Sequence, residues 1–356
     1  MLYGIDIFSG AGGLSLGAEM AGTSIMFAVE KDKYAAETYR YNHKNTPVIC
    51  DDIHNIDPLQ HITPIGAGDQ LIVFGGPPCQ GFSFSNTKTR NLQNPSNSLF
   101  EEFLRFVSVL HPDWFLFENV EGFYRFEGGT LHNRVKHCFE ELGYTVNDAI
   151  VVASDYGVPQ HRNRFIMVGN RNGILFQFPE KHKKTYSVKD ATGDLPELMN
   201  GQMNESLPYK CSAKEAGEYA RLMRKGSRTS KQNYVSRNAE YVIERYKHIG
   251  QGQNWRAIPE ELMTNYKDKS KCHSGIYKRL IAEKPSVVIS NYRKNMLIHP
   301  WQDRGLSVRE AARLQSFPDR FIFKGTLMDI QQQIGNAVPP FLAKAVFEKI
   351  IGYLKN

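Results

Sequence analysis

The stretch Asp6-Ile7-Phe8-Ser9-Gly10-Ala11-Gly12-Gly13-Leu14-Ser15-Leu16-Gly17 carries an apolar run into a glycine turn that opens directly onto residues of helical spacing. A strand from Leu2 to Phe8, a tight turn and a helix from Leu14 to Ala21 make the first half of a βαβ unit. Glycines in such a turn let ligand atoms approach the backbone, and the helix N-terminus offers unpaired N–H groups to an anion. Glu30 ends the next apolar run, Ile25 to Val29, where an acidic side chain accepts hydrogen bonds from ribose hydroxyls. Ser15 stands where G-x-G-x-x-G requires its last glycine, which disfavours a pyrophosphate cradle and with it an NAD-dependent oxidoreductase. The turn fits either an adenosine-bearing cofactor or a purely structural tight turn.

Working outward, short apolar runs alternate with amphipathic stretches to about residue 170, the pattern of an α/β fold with a mostly parallel sheet covered by helices. Leu71 to Phe74, Trp114 to Phe117, Ala149 to Ala153 and Phe165 to Val168 are further strands. Tyr34 to Asn42, Ser98 to Leu110 and Leu131 to Leu142 have helical spacing. From about 180 to 300 the chain turns polar, basic and irregular, as a second, loop-rich domain would be. Helical pattern resumes at Val308 to Gln315, and a last helix runs from Pro339 through Ile351, with proline suited to a first turn. The expected division is a large domain of residues 1–178 and 326–356 and a small one of 179–325.

A chain of 356 residues has room for one large domain or two unequal ones. With 41% hydrophobic and 23% charged residues it reads as a soluble globular protein. No apolar run approaches the roughly 18 residues of a membrane helix, and Met1 to Gly10 lacks the features of a secretory signal. Cys50, Cys79, Cys138, Cys211 and Cys272 are scattered without a C-x-x-C pair, which argues against zinc and disulfides and suits the cytosol. No metal is expected. The net charge of +7 is unevenly spread: residues 181–300 hold 23 Lys and Arg against 12 Asp and Glu, a surplus of eleven, while the remainder is acidic by four. Such a basic block attracts a polyanion or forms a solvated lysine-rich surface.

Three further motifs carry chemistry. In Gly75-Gly76-Pro77-Pro78-Cys79-Gln80-Gly81-Phe82-Ser83 two prolines stiffen the backbone ahead of a cysteine at a strand's C-terminal end, a common place for a nucleophile. A buried structural cysteine in a proline turn is the alternative. Phe117-Glu118-Asn119-Val120 puts a carboxyl at the end of a buried strand, where desolvation keeps it protonated unless a cap or an ion pair uses it. In Gln160-His161-Arg162-Asn163-Arg164 the side chains at 160, 162 and 164 alternate onto one face of an extended segment, suited to phosphate or a base edge, or to surface salt bridges.

These features, in this order and with Gln333-Ile334-Gly335-Asn336-Ala337-Val338-Pro339-Pro340, resemble the DNA cytosine-5 methyltransferase family over nearly the whole chain. Pro77-Pro78-Cys79-Gln80 is the most specific element. Ser307-Val308-Arg309-Glu310-Ala311-Ala312-Arg313-Leu314-Gln315 followed by Phe317-Pro318 is similar to the family segment that supports target recognition. The resemblance implies a Rossmann-like S-adenosylmethionine-dependent large domain and a smaller target-recognition domain. It also implies methyl transfer to carbon 5 of a flipped-out cytosine in double-stranded DNA, with S-adenosylhomocysteine as product. Cys79 is then the thiolate that adds to carbon 6, Glu118 donates a hydrogen bond to N3, and Arg162 and Arg164 hold the base.

For the cofactor, the resemblance assigns Phe8 to the adenine, Gly10 and Gly12 to the methionine portion, Glu30 to the ribose and Asp52, followed by Ile53, to the adenine amino group. Leu14 and Pro77 are further contacts, and Asn336 and Val338 close the site. Two departures stand out. Asp51 occupies a place that is often glycine, and Lys31, carried over with Glu30 as a cofactor contact, stands where an aromatic residue often stacks. Gln80, Ser83, Gln160 and Arg309 are carried over as DNA contacts. The implied enzyme is a cytosolic, nucleoid-associated bacterial or archaeal monomer that acts beside a separate restriction endonuclease. A transfer-RNA cytosine methyltransferase and a catalytically silent binding protein are the rival readings.

Overall fold

Trp114-Phe115-Leu116-Phe117 is wholly buried, the unbroken apolar pattern of a strand covered on both faces. The fold is built around that strand. The computed structural model describes residues 1–78, 99–264, 274–290 and 292–354. The chain forms two compact units, one of Met1–Tyr156, Asn163–His182 and Val338–Asn356, the other of Gly157–Arg162 and Lys183–Ala337.

In chain order the first unit holds β1 (Leu2–Ile7), α1 (Gly13–Ala21), β2 (Ser24–Val29), α2 (Lys33–Asn42), β3 (Val48–Ile49), β4 (Gln70–Gly75), α3 (Leu99–Leu110), β5 (Trp114–Val120), α4 (Glu121–Arg125), α5 (Thr130–Glu141), β6 (Thr145–Val152) and β7 (Asn163–Asn170). The second holds α6 (Val188–Thr192), β8 (Met203–Leu207), α7 (Glu218–Arg224), β9 (Ser230–Tyr234), α8 (Glu240–Lys247), α9 (Val308–Leu314) and α10 (Leu327–Asn336). The last helix, α11 (Pro340–Tyr353), returns to the first unit.

Among the described residues the large sheet has the order β3-β2-β1-β4-β5-β7-β6. β1 to β5 pair in parallel, and β7 runs antiparallel to both β5 and β6. Ile7 is level with Gly75, and Gly75 with Phe117. The residues that follow, Phe8, Gly76 and Glu118, therefore emerge together at the carboxyl edge of the sheet, where open α/β sheets bind ligands.

Alternation along the strands divides the core into two layers. Phe115 and Phe117 pack against Phe103 of α3 and Phe139 of α5, with ring centroids 4.0–6.4 Å apart. On the opposite face Trp114 stacks on Tyr353, and Phe74 meets Phe347 edge-on at 5.0 Å, both partners lying on α11. Burial of each such ring contributes about 1.5–3 kcal/mol. A Cβ on Gly17 of α1 would stand 2.4 Å from the Ala343 Cβ of α11, so glycine is what lets those two backbones touch.

The second unit adds buried arginines to its apolar clusters. Arg313 of α9 donates to both oxygens of Asp319 and to Asp194, and Arg304 grips Glu310 with two hydrogen bonds of 2.6 and 2.9 Å. Ser307 and Glu310 form a capping box at the start of α9. Loops bearing many polar backbone groups need such anchors because weak periodicity gives them no continuous apolar face.

Two boundaries differ from expectation. The crossings fall at Lys183 and Val338 rather than at 179 and 326, and a short excursion, Gly157–Arg162, also joins the second unit. Helix α10, a segment whose motif was noted without its helix, belongs there too. The physical cause is side-chain anchoring: the Arg162 guanidinium donates to the carbonyls of Ile289, Gly335 and Ala337.

Candidate active site

The glycine turn is held by buried polar groups that the sequence reading missed. Asp6 is fully buried at the end of β1. Ser15, from the first turn of α1, donates to its carboxyl at 2.6 Å and shares a 2.7 Å hydrogen bond with the Tyr39 hydroxyl of α2. Burial pushes the Asp6 carboxyl well above the usual carboxylate range, with Ser15 opposing. The signal was present: Asp6 is the one charged residue within an otherwise apolar strand.

In the turn itself Phe8 and Gly10 both have positive φ, 60° and 55°. A Cβ built on Gly10 would meet nothing within 4 Å, so the glycine answers to backbone conformation and opens onto free space. Gly12 caps α1 without a side-chain hydrogen bond, and a Cβ there would stand 2.3 Å from the His43 ring. Glu30 accepts from the backbone N–H groups of Gly10 and Asp32, each at 2.7 Å, and burial raises its pKa against those two bonds. This open, glycine-lined turn with a carboxylate fixed to its backbone fits an adenosine-bearing cofactor. Leu14, Ile53, Pro77 and Val338 are buried. Asp52 begins the 3-10 turn Ile53–Asn55, accepts from the His54 N–H and pairs with Lys31.

At the sheet edge Arg164 of β7 brings its Nε to 2.7 Å from Oε1 of Glu118, with both side chains about nine-tenths buried. The two groups touch without the alignment of a hydrogen bond. Burial holds the Glu118 carboxyl above the ordinary range although Arg164 pulls it down. Gly76 lies directly against it, since a Cβ there would stand 2.5 Å from Glu118 Oε2. The Asn119 amide donates to the carbonyl of Pro77 at 3.2 Å, so β5 holds the start of the loop that leads to residue 79. Cys79, Gln80 and Ser83 lie outside the described residues.

The row expected from Gln160, Arg162 and Arg164 is corrected by the fold. Arg164 belongs to the first unit, Gln160 and Arg162 to the second. Gln160 is fully buried, donating to the Leu314 carbonyl and to Gln315 and accepting from the Ile289 N–H. Arg162, 1% exposed, is committed to three carbonyls. Arg309 is likewise not placed as a DNA contact: it is wholly buried and donates to the carbonyls of Lys231, Pro318 and Phe321. Asn336 ends α10 exposed, accepting from Gln332. Among the described residues no group of three His, Cys, Asp or Glu is placed to hold a metal, and no helix is long and apolar enough to cross a membrane.

With this geometry in hand, residues 2–352 match the family model for C-5 cytosine-specific DNA methylases. The chain belongs to that family. It is 35% identical to the type II methyltransferase M.DdeI of Desulfomicrobium norvegicum, over 99% of this chain and 89% of the relative. It shares 35% identity with the type II methyltransferase M1.HphI of Haemophilus parahaemolyticus, over 98% of this chain and 86% of that protein. A solved structure described as a DNA modification methyltransferase encoded within a prophage (E. coli) superposes with a TM-score of 0.79 at 26% identity, covering all of both chains. The Rossmann-like α/β unit is thus that of an S-adenosylmethionine-dependent cytosine-5 DNA methyltransferase.

Proposed function

We propose that this enzyme methylates carbon 5 of a flipped-out cytosine within a specific sequence of double-stranded DNA, through a covalent bond between Cys79 and carbon 6. The observation that carries the reading is the buried Glu118–Arg164 pair with Gly76 against its carboxyl: a carboxyl whose pKa burial raises, beside the loop that leads to Cys79. S-adenosylmethionine, when bound, supplies an electrophilic methyl group to carbon 5.

The chain's own residues do the rest. Glu30 and the glycine turn hold the ribose and the methionine portion, Asp52 accepts from the adenine amino group, and Phe8, Leu14, Ile53, Pro77 and Val338 give apolar surface. The family resemblance adds Asn336 to the cofactor contacts. Carbon 5 is a poor nucleophile until the Cys79 thiolate adds to carbon 6 and pushes electron density towards it. Glu118, whose pKa burial raises, donates to N3 as charge develops there. Arg164 fixes the Glu118 carboxyl and the base. Loss of the carbon 5 proton and of Cys79 then restores the aromatic ring.

A base inside a duplex cannot reach these groups, so the nucleotide must be flipped out, with unstacking offset by backbone contacts from the basic second unit. The family resemblance assigns Gln80 and Ser83 to the flipped nucleotide. The names of the relatives, type II methyltransferases, support a restriction-modification setting with a separate endonuclease; within this reading the enzyme acts as a monomer in the cytosol.

Incubation with labelled S-adenosylmethionine and either duplex DNA or transfer RNA tests the substrate, and bisulfite sequencing locates the mark. Label in 5-methylcytosine of DNA at one recurring sequence is the expected result; label in transfer RNA alone overturns it. Cys79→Ala is expected to abolish transfer and to retain cofactor binding, and full activity in that variant sinks the covalent route.

A further inference from the structure

We infer that Lys31 gates the cofactor site by exchange: its ammonium occupies the Asp52 oxygen that the adenine amino group needs, and leaves when the cofactor enters. The inference rests on the cofactor reading above and adds a residue that sets cofactor affinity. Asp52 is already crowded. Its Oδ1 accepts from the His54 backbone N–H at 3.1 Å and stands 2.5 Å from the His54 ring Nδ1. Those two contacts cap the 3-10 turn Ile53–Asn55, so Oδ1 cannot be released without loosening the turn. Oδ2 is the other oxygen, and Lys31 Nζ sits 2.5 Å from it.

Both the ammonium and the exocyclic amino group are donors only, so they draw on the same oxygen, and an ammonium 2.5 Å from Oδ2 crowds the second donor and weakens its bond. Lys31 is the partner able to yield. Its side chain is 75% exposed, so a displaced ammonium passes straight into water, where such a compact charge is well hydrated. Asp52 is ionised before the exchange, since Lys31 foremost and His54 next hold its carboxyl far below the usual range, and the His54 contacts on Oδ1 remain once Lys31 has left. The acceptor is therefore ready at any physiological pH, and the contest is between donors alone. An exposed ion pair is weak, which suits a gate that a cofactor must open.

The test is calorimetric titration of the whole protein with S-adenosylhomocysteine and with S-inosylhomocysteine, which carries a carbonyl in place of the amino group. Lys31→Ala and Lys31→Gln are expected to tighten the adenine ligand by about 2- to 5-fold, the scale of one exposed ion pair. Neither is expected to tighten the inosine ligand, and in an Asp52→Asn background Lys31→Ala is expected to change nothing. Weaker or unchanged binding of the adenine ligand in both Lys31 variants overturns the gate, as does an equal gain for both ligands. Wild-type protein that binds neither ligand overturns the cofactor reading itself, and the gate with it.

Discussion

Each unit buries a glutamate against an arginine, and the two pairs have opposite characters. In the first unit Glu118 has Arg164 beside it, unaligned for a hydrogen bond, and burial wins: the carboxyl is pushed up towards its protonated form. In the second, Glu310 takes two hydrogen bonds from Arg304 and one from the Ser307 N–H, and lies 3.5 Å from His299. There burial is outweighed, and Glu310 falls to about 2. A buried carboxyl with full compensation serves the structure, whereas one whose pKa burial raises is suited to lend a proton to a ligand.

The same substitution at both places would break or sharpen that contrast. Glu118→Gln should lower kcat by about 10²- to 10⁴-fold while thermal unfolding shifts little. A stability loss as large as the activity loss would erase the distinction. Because Glu118 acts protonated and its pKa is raised, wild-type activity should fall as pH climbs through that raised value, and this alkaline limb should vanish from the residual activity of Glu118→Gln. A pH–rate profile checks both.

Glu310→Gln should instead cost about 3–5 kcal/mol, the usual effect of leaving a buried arginine unpaired, as read in chemical denaturation, with per-molecule activity retained below the unfolding range. The sign of its pH dependence is opposite. A carboxyl whose pKa is depressed on folding contributes stability above its unfolded value near 4.5 and loses it as pH falls through about 2. Acid unfolding followed by circular dichroism should show that loss in the wild type and a smaller one in Glu310→Gln.

The smallest effect is expected at Gly76. An alanine Cβ there would stand 2.5 Å from Glu118 Oε2, so Gly76→Ala must shift the carboxyl or the loop. A fall in kcat of about tenfold with an unchanged unfolding midpoint is the expected result, on the scale of a modest misplacement of a catalytic group. Wild-type kinetics would detach the loop from the acid.

Much of this was legible in one dimension because it depends on short-range pattern. The strand–turn–helix at Asp6 to Gly17 follows from glycine conformation and hydrophobic period, and Glu30 and Glu118 are marked by standing where apolar runs stop. The family itself is carried by local motifs such as Pro77-Pro78-Cys79-Gln80. What period cannot reveal is which donors a folded chain uses up internally. Gln160, Arg162 and Arg164 alternate in sequence as though they shared one face, yet the first two are spent on carbonyls supplied by residues 289 to 337, and only Arg164 meets Glu118. Arg309 looked free for DNA for the same reason. Local pattern thus determined the sheet, the glycine turn and the acid; only tertiary structure decided which buried charges are satisfied, because that balance is set by partners that lie from six residues away, as for Arg304 and Glu310, to well over a hundred, as for Arg162 and Ala337.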